Sequence, residues 1–99
     1  VIKHIVLWKL NADDLDGKAA ALASIAGALE PLVGVVPGLT ALTVRANTAF
    51  AEINWDLALV SDHESLAAFE AYRVHPRHLA AAEVVREHIT QRASVDYEY

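Results

Sequence analysis

The chain has 99 residues, enough for one domain with limited interior volume. A formal charge of −5 leaves no basic face to neutralise phosphates, which argues against general nucleic-acid binding. The lack of cysteine excludes disulfides, thiolate nucleophiles and thiolate metal sites. Hydrophobic content of 55%, much of it alanine, is more apolar surface than a lone small domain can hide, so an oligomer is favoured.

No run approaches the roughly 20 consecutive apolar residues of a membrane span. The opening Val1–Trp8 is interrupted by Lys3 and His4 and carries no leader-type cleavage site. A soluble, cytoplasmic protein with no membrane partner is expected.

Val1 to Leu10 reads as a strand with Ile2, His4, Val6, Trp8 and Leu10 on one face and Ile5 and Leu7 on the other. Asn11 to Asp14 supply caps and negative charge for a helix that carries Leu15, Leu22, Ile25 and Leu29 at helical spacing. Pro31 should end or distort that helix near Leu29–Glu30. Pro37-Gly38 is a turn signal, followed by a strand from Leu39 to about Asn47 and, after a loop, a third strand from Ile53 to Val60. Ser61-Asp62-His63-Glu64 fits a capping box and predicts a second helix, to about Val74, that buries Leu66 and Phe69. Pro76 ends that helix and opens the next, with His75 as its cap. The third helix carries Leu79, Ala82, Val85 and Ile89 and stops near Thr90–Gln91, and Ala93 to Tyr99 forms a last strand. Asp56, in mid-strand, should pair with Arg45 or lie exposed at the sheet edge, Trp55 has no assigned side, and His63 and His88 read as solvated surface.

The order strand, helix, strand, strand, broken helix, strand is the βαββαβ pattern of an α+β, ferredoxin-like sandwich. Helices cover one face of such a sheet, yet strands one to three are apolar on both. The expected solution is a homodimer packed sheet to sheet, an α+β barrel built from a single domain spanning residues 1–99.

Several stretches, in order, resemble the stress-responsive α/β-barrel (Dabb) family: Ile2-Lys3-His4-Ile5-Val6-Leu7, Val36-Pro37-Gly38-Leu39, Asp56-Leu57-Ala58-Leu59-Val60, Tyr72-Arg73-Val74-His75-Pro76-Arg77-His78 and Val95-Asp96-Tyr97. The Tyr-x-x-His-Pro-x-His element is the most specific of them. The resemblance implies a dimeric α+β barrel. In the olivetolic acid cyclase-like branch, which closes a linear polyketide by aldol condensation, the motif's tyrosine and second histidine are the catalytic pair. They fall on Tyr72 and His78, and the strand histidine of that branch falls on His4.

Chemically, His78 is a base able to take a proton from carbon flanked by two carbonyls, kept neutral by its place in the first turn of a helix. Tyr72 would hydrogen-bond the enolate oxygen. His4, Trp8 and His75 are the expected ligand-binding neighbours, and no cofactor is called for. His75 and His78 have metal-ligand spacing but cannot share a regular helical face across Pro76, so no metal is assigned to them, while a carboxylate-bound cation at the dimer interface stays open. Arg73 and Arg77 could orient an acidic ligand, although free surface arginines are the commoner case. The ligand would be a hydrophobic, oxygenated small molecule. The alternatives are a non-catalytic, stress-associated structural protein, in which Tyr72 and His78 only pack and cap, and a cofactorless monooxygenase.

Overall fold

Strand β1, Ile2–Leu10, is the centre of the sheet, and its burial alternates as its sequence does. The computed structural model describes all 99 residues. After β1 come α1 (Leu15–Leu29), a 3-10 turn (Glu30–Leu32), β2 (Leu39–Ala46), β3 (Leu57–His63), α2 (Leu66–Val74), α3 (Pro76–Arg86) and β4 (Ile89–Glu98). The sheet order is β2-β3-β1-β4, antiparallel at every pair, the ferredoxin-like α+β arrangement expected.

Local chemistry explains most boundaries. The Asp14 carboxylate accepts from the Gly17 amide at 2.6 Å and starts α1, and Pro31 ends it in the 3-10 turn. Gly38 turns the chain into β2 with φ +83, and a Cβ there would lie 2.5 Å from the Ala68 side chain. Both the backbone and the close approach of α2 therefore require glycine. His75 accepts from the Arg77 amide at 3.0 Å and caps α3.

Four expectations need correction. The third strand begins at Leu57, not Ile53, because residues 50–54 close a turn through Phe50, whose carbonyl accepts from the Ile53 and Asn54 amides. The strand then runs through His63, and Ser65, not Ser61, caps α2 by accepting from the Ala68 amide at 3.0 Å. The capping-box reading failed because ladder pairing of Ser61 with His4, and of His63 with Ile2, holds the segment in the sheet. Ile89 opens β4 instead of closing α3. Leu15, Leu66 and Leu79, read as core, are exposed, while Ile25, Leu29 and Val85 are buried as expected and Ala21 and Ala81 join them.

Helices α1 and α3 pack on each other, and the helix layer covers one sheet face. The core there joins Val6, Trp8, Leu42, Val44, Leu57 and Leu59 to Ile25, Leu29 and Val85. The other face carries Ile5, Leu7, Ala58, Val60, Val95 and Tyr97 in register, without cover. On β4 the apolar residues Val95 and Tyr97 lie on this open face, and Arg92, Ser94 and Asp96 lie on the helix side. No helix is long and apolar enough to cross a membrane.

Candidate functional site

Cross-strand register builds the site. Ser61, His4 and Asp96 form one row across β3, β1 and β4, and Leu57, Trp8 and Arg92 form another four residues further along β1. Above these rows, α2 supplies Phe69 and Tyr72 and α3 supplies His78, Val85 and Arg86. Between sheet and helices lies a cavity of about 160 Å³. His4, Trp8, Tyr72 and His78 all line it, together with apolar walls that include Val6, Leu29 and Leu59. The helix break at His75-Pro76 lets Tyr72 and His78, from two different helices, pack at a tilt with ring centroids 4.2 Å apart.

The two cavity imidazoles are each fixed by one nitrogen. His4 donates from Nδ1 to the Asp96 carboxylate, and His78 donates from Nδ1 to the Arg73 carbonyl at 3.2 Å. In the neutral ring each Nε2 is then the free lone pair. Burial lowers the affinity of His4 for a proton, and the hydrogen bond and charge of Asp96 only partly offset this. His78 is also held below its ordinary value, first by burial, with the Arg73 carbonyl opposing and the charges of His4, Arg73 and Arg92 adding to it. Helix position had suggested the same direction, but burial is the larger cause. Burial raises the Tyr72 phenol to about 12, so it stays an O–H donor across the physiological range.

His75 does not line the cavity, since its ring is spent on the α3 cap. Arg73 and Arg77 are exposed. His63 is not on the surface: it is fully buried, its Nε2 lies 2.9 Å from the Ser61 hydroxyl, and its ring packs 4.8 Å from those of Phe69 and Tyr72. Burial pushes its pKa down to about 4. Its Nδ1 and the Trp8 indole N–H are buried without a hydrogen-bond partner. Asp56 is paired, though not with Arg45. It accepts from the Leu10 amide at 2.8 Å and from Lys18 at 3.1 Å, and these outweigh burial and hold its carboxyl below the usual range. Arg45 reaches Glu30 at 3.4 Å. Trp55 sits in the turn before β3, with the Lys9 ammonium 5.2 Å from its ring centroid. No cluster of three or more His, Asp or Glu side chains is placed to hold a metal.

Asp96 and Arg92 were missed as site residues. The signal was present in the strict alternation of β4, but an apolar face is normally assigned to the core. Here Val95 is 62% exposed and the polar face turns to the helices.

The sequence matches the model of the Stress responsive A/B Barrel Domain over residues 2–99, and the chain belongs to that family. It is similar to a dimeric ferredoxin-like protein of unknown function from Bacteroides fragilis, at 33% identity and TM-score 0.86, covering 99% of this chain and 95% of that one. A dimeric ferredoxin-like protein of unknown function from Thermobifida fusca matches at 28% identity and TM-score 0.81, covering 99% of this chain and 90% of that one. The fold is also that of SnoaB, a cofactor-independent oxygenase from Streptomyces nogalater (11% identity, TM-score 0.75, covering 99% and 91%). It is shared too by a hydroxynitrile lyase from Passiflora edulis (16% identity, TM-score 0.73, covering 97% and 90%). No protein of curated function matches the sequence.

Proposed function

We propose that this chain forms a homodimer through its open sheet face, and that each protomer binds a hydrophobic, oxygenated small molecule in the cavity between sheet and helices. Within that cavity His78 and Tyr72 perform a cofactor-independent proton transfer of the polyketide-cyclase kind. The observation that carries this reading is the cavity itself, which gathers His4, Trp8, Tyr72 and His78 from three separate segments around apolar walls. The dimer is supported by the uncovered Ile5, Leu7, Val60 and Val95 and by the dimeric state of the two relatives from Bacteroides fragilis and Thermobifida fusca.

In the proposed step, the Nε2 lone pair of His78 takes a proton from carbon lying between two carbonyls. The electron pair left behind moves onto a carbonyl oxygen, where the Tyr72 hydroxyl donates a hydrogen bond. After the new carbon–carbon bond forms, the imidazolium returns its proton to the product. Burial suits both groups to these tasks, since it keeps His78 unprotonated and Tyr72 protonated near neutral pH. His4, oriented by Asp96, is a second imidazole able to position a substrate oxygen.

The test is a thermal-shift and NMR screen with aromatic polyketides and β-dicarbonyl compounds, followed by deuterium exchange at the activated carbon. Ligands should raise the melting temperature and move the His78 and Tyr72 signals, and exchange should vanish in His78→Ala. A screen in which no compound stabilises the protein or shifts those signals ends the pocket reading. Exchange that persists in His78→Ala removes the assigned base.

One observation favours a structural protein that turns nothing over: Tyr72 is 2% exposed and belongs to the main core cluster, packed against His63 and Phe69. On that reading Tyr72→Phe is neutral to ligand binding and lowers only stability. The oxygenase alternative draws on the shared fold alone.

A further inference from the structure

We infer that Arg92 is an anion anchor at the cavity, so that the ligand is a small carboxylic acid whose apolar body fills the pocket while its carboxylate meets this guanidinium. The inference rests on the pocket reading above and adds the class of molecule that the pocket takes.

Charge around the cavity is one-sided. The chain carries a formal charge of −5, yet no Asp or Glu lines this space, and its two charged lining residues are Arg86 and Arg92. Elsewhere Lys3 is matched to Asp62 at 2.8 Å, Lys18 to Asp56 at 3.1 Å and Arg45 to Glu30 at 3.4 Å, while Lys9, away from the cavity, lies over the Trp55 ring. Arg86 is engaged by Glu83 one turn earlier on α3. Of the acids on the same face of β4, Asp96 is taken by His4 and Glu98 lies at the far end of the strand, opposite Ile2. Arg92 has no carboxylate partner, and its guanidinium meets only the Ser94 hydroxyl at 3.2 Å. That leaves most of its donors free for an incoming group.

Position and size agree with this. Arg92 stands directly opposite Trp8 across the β1–β4 ladder, and both line the cavity. Its own residue is exposed, so a ligand acid there keeps contact with solvent while the remainder of the molecule is desolvated. A guanidinium presents paired N–H groups that fit the two oxygens of a carboxylate. The volume, about 160 Å³, is close to that of an apolar cavity of roughly 150 Å³ that takes up benzene. One ring or a short alkyl chain therefore fits against Val6, Leu59 and Val85, with the acid projecting to Arg92.

The probes are benzoate and its uncharged relative benzyl alcohol, titrated into the intact protein and followed by NMR at the cavity residues. Benzoate should bind about tenfold more tightly than benzyl alcohol, the size of effect given by one charge-assisted contact at a partly exposed site. That preference should shrink with added salt and disappear in Arg92→Gln, whose exposed position leaves the fold intact by circular dichroism. Arg86→Gln should retain it. Equal binding of acid and alcohol by the unmodified protein, or an acid preference that survives Arg92→Gln, overturns the anchor while leaving the pocket in place. If neither compound nor a longer fatty or aryl acid perturbs the cavity signals, the pocket reading falls and the anchor falls with it.

Discussion

The two faces of the sheet are built on opposite rules. Beneath the helices, the polar groups His63, Ser61, His4, Asp96 and Arg92 are gathered beside an apolar core. On the uncovered side, Ile5, Leu7, Ala58, Val60 and Val95 form an apolar centre, with Lys3, Asp62, Lys9 and Arg45 at its margins. A sheet arranged only for the stability of a lone chain would do the reverse, since buried polar groups cost free energy and exposed aliphatic ones contribute none. Strand β4 shows the inversion most directly, with its aliphatic side outward and its charged side toward the helices. The difference separates two tasks: the open face is complementary to another apolar surface, and the covered face keeps a small set of polar groups around a cavity.

The largest expected effect tests the open face. Ile5→Lys places an ammonium at the middle of the central strand, where the lone chain leaves it in contact with solvent but a packed second sheet would bury it unpaired. Sedimentation should show two copies of the 10.7 kDa chain for the unmodified protein and one for the variant, with circular dichroism unchanged. The loss in association should exceed about 100-fold, because an unpaired buried charge costs roughly 3 kcal/mol or more. A variant that remains dimeric places the interface elsewhere.

On the covered face the largest effect should be acid sensitivity. His63 titrates near 4 in the folded chain against 6.5 when unfolded, so below pH 6.5 the unfolded chain binds more protons and stability falls with pH. The loss is complete only below the folded value and amounts to roughly 3 kcal/mol. Burial lowers His4 and His78 as well, so they add in the same direction. The charges that Asp62 and Asp96 turn toward His63 oppose the shift without reversing it. Urea unfolding between pH 7 and 4.5, above the range where Asp56 and Asp62 titrate, isolates the histidines. His63→Gln, able to keep the Ser61 contact, should lose most of the slope. A flat profile for the unmodified protein would mean that His63 is not buried uncharged.

The element order, the Pro37-Gly38 turn, the His75-Pro76 break and the apolar character of both sheet faces were all legible in the sequence, because each follows from local chemistry or period-two patterning. Tyr72, His78, His4 and Trp8 could be named from a motif and a strand face, and the fold brings these four to one cavity. What escaped was set by tertiary pairing. Ser61-Asp62-His63-Glu64 has the spacing of a cap, but His4 and Ile2 on β1 hold Ser61 and His63 in the ladder, and no local signal records that partner. Asp96 and Arg92 escaped for a related reason: alternation shows that β4 has two unlike faces, but only the position of the helices decides which of them is inside.

Two smaller effects sharpen the description of the covered face. In Asp96→Asn the NMR titration midpoint of His4 should move further to acid, because Asp96 is the group that opposes the effect of burial on that ring. A midpoint that rises or stays put would show that the His4–Asp96 contact is absent in solution.

Ser65→Ala addresses the cover itself. Helix α2 has nine residues, carries Phe69 and Tyr72 over His4 and His63, and has a single side-chain cap at its start. Removing the Ser65 hydroxyl leaves the Ala68 amide without its acceptor and should cost about 1 kcal/mol, whereas Ser65→Asp should retain the cap. If α2 is the lid on the polar cluster, hydrogen exchange should quicken in α2 and at His63 while the open face and the association state stay unchanged. Equal acceleration across β2 and β4 would mean that the two faces unfold as one unit and that α2 is not a separable cover. A fully local response would mean that the polar cluster can be uncovered without loosening the apolar surface on the other side of the same sheet.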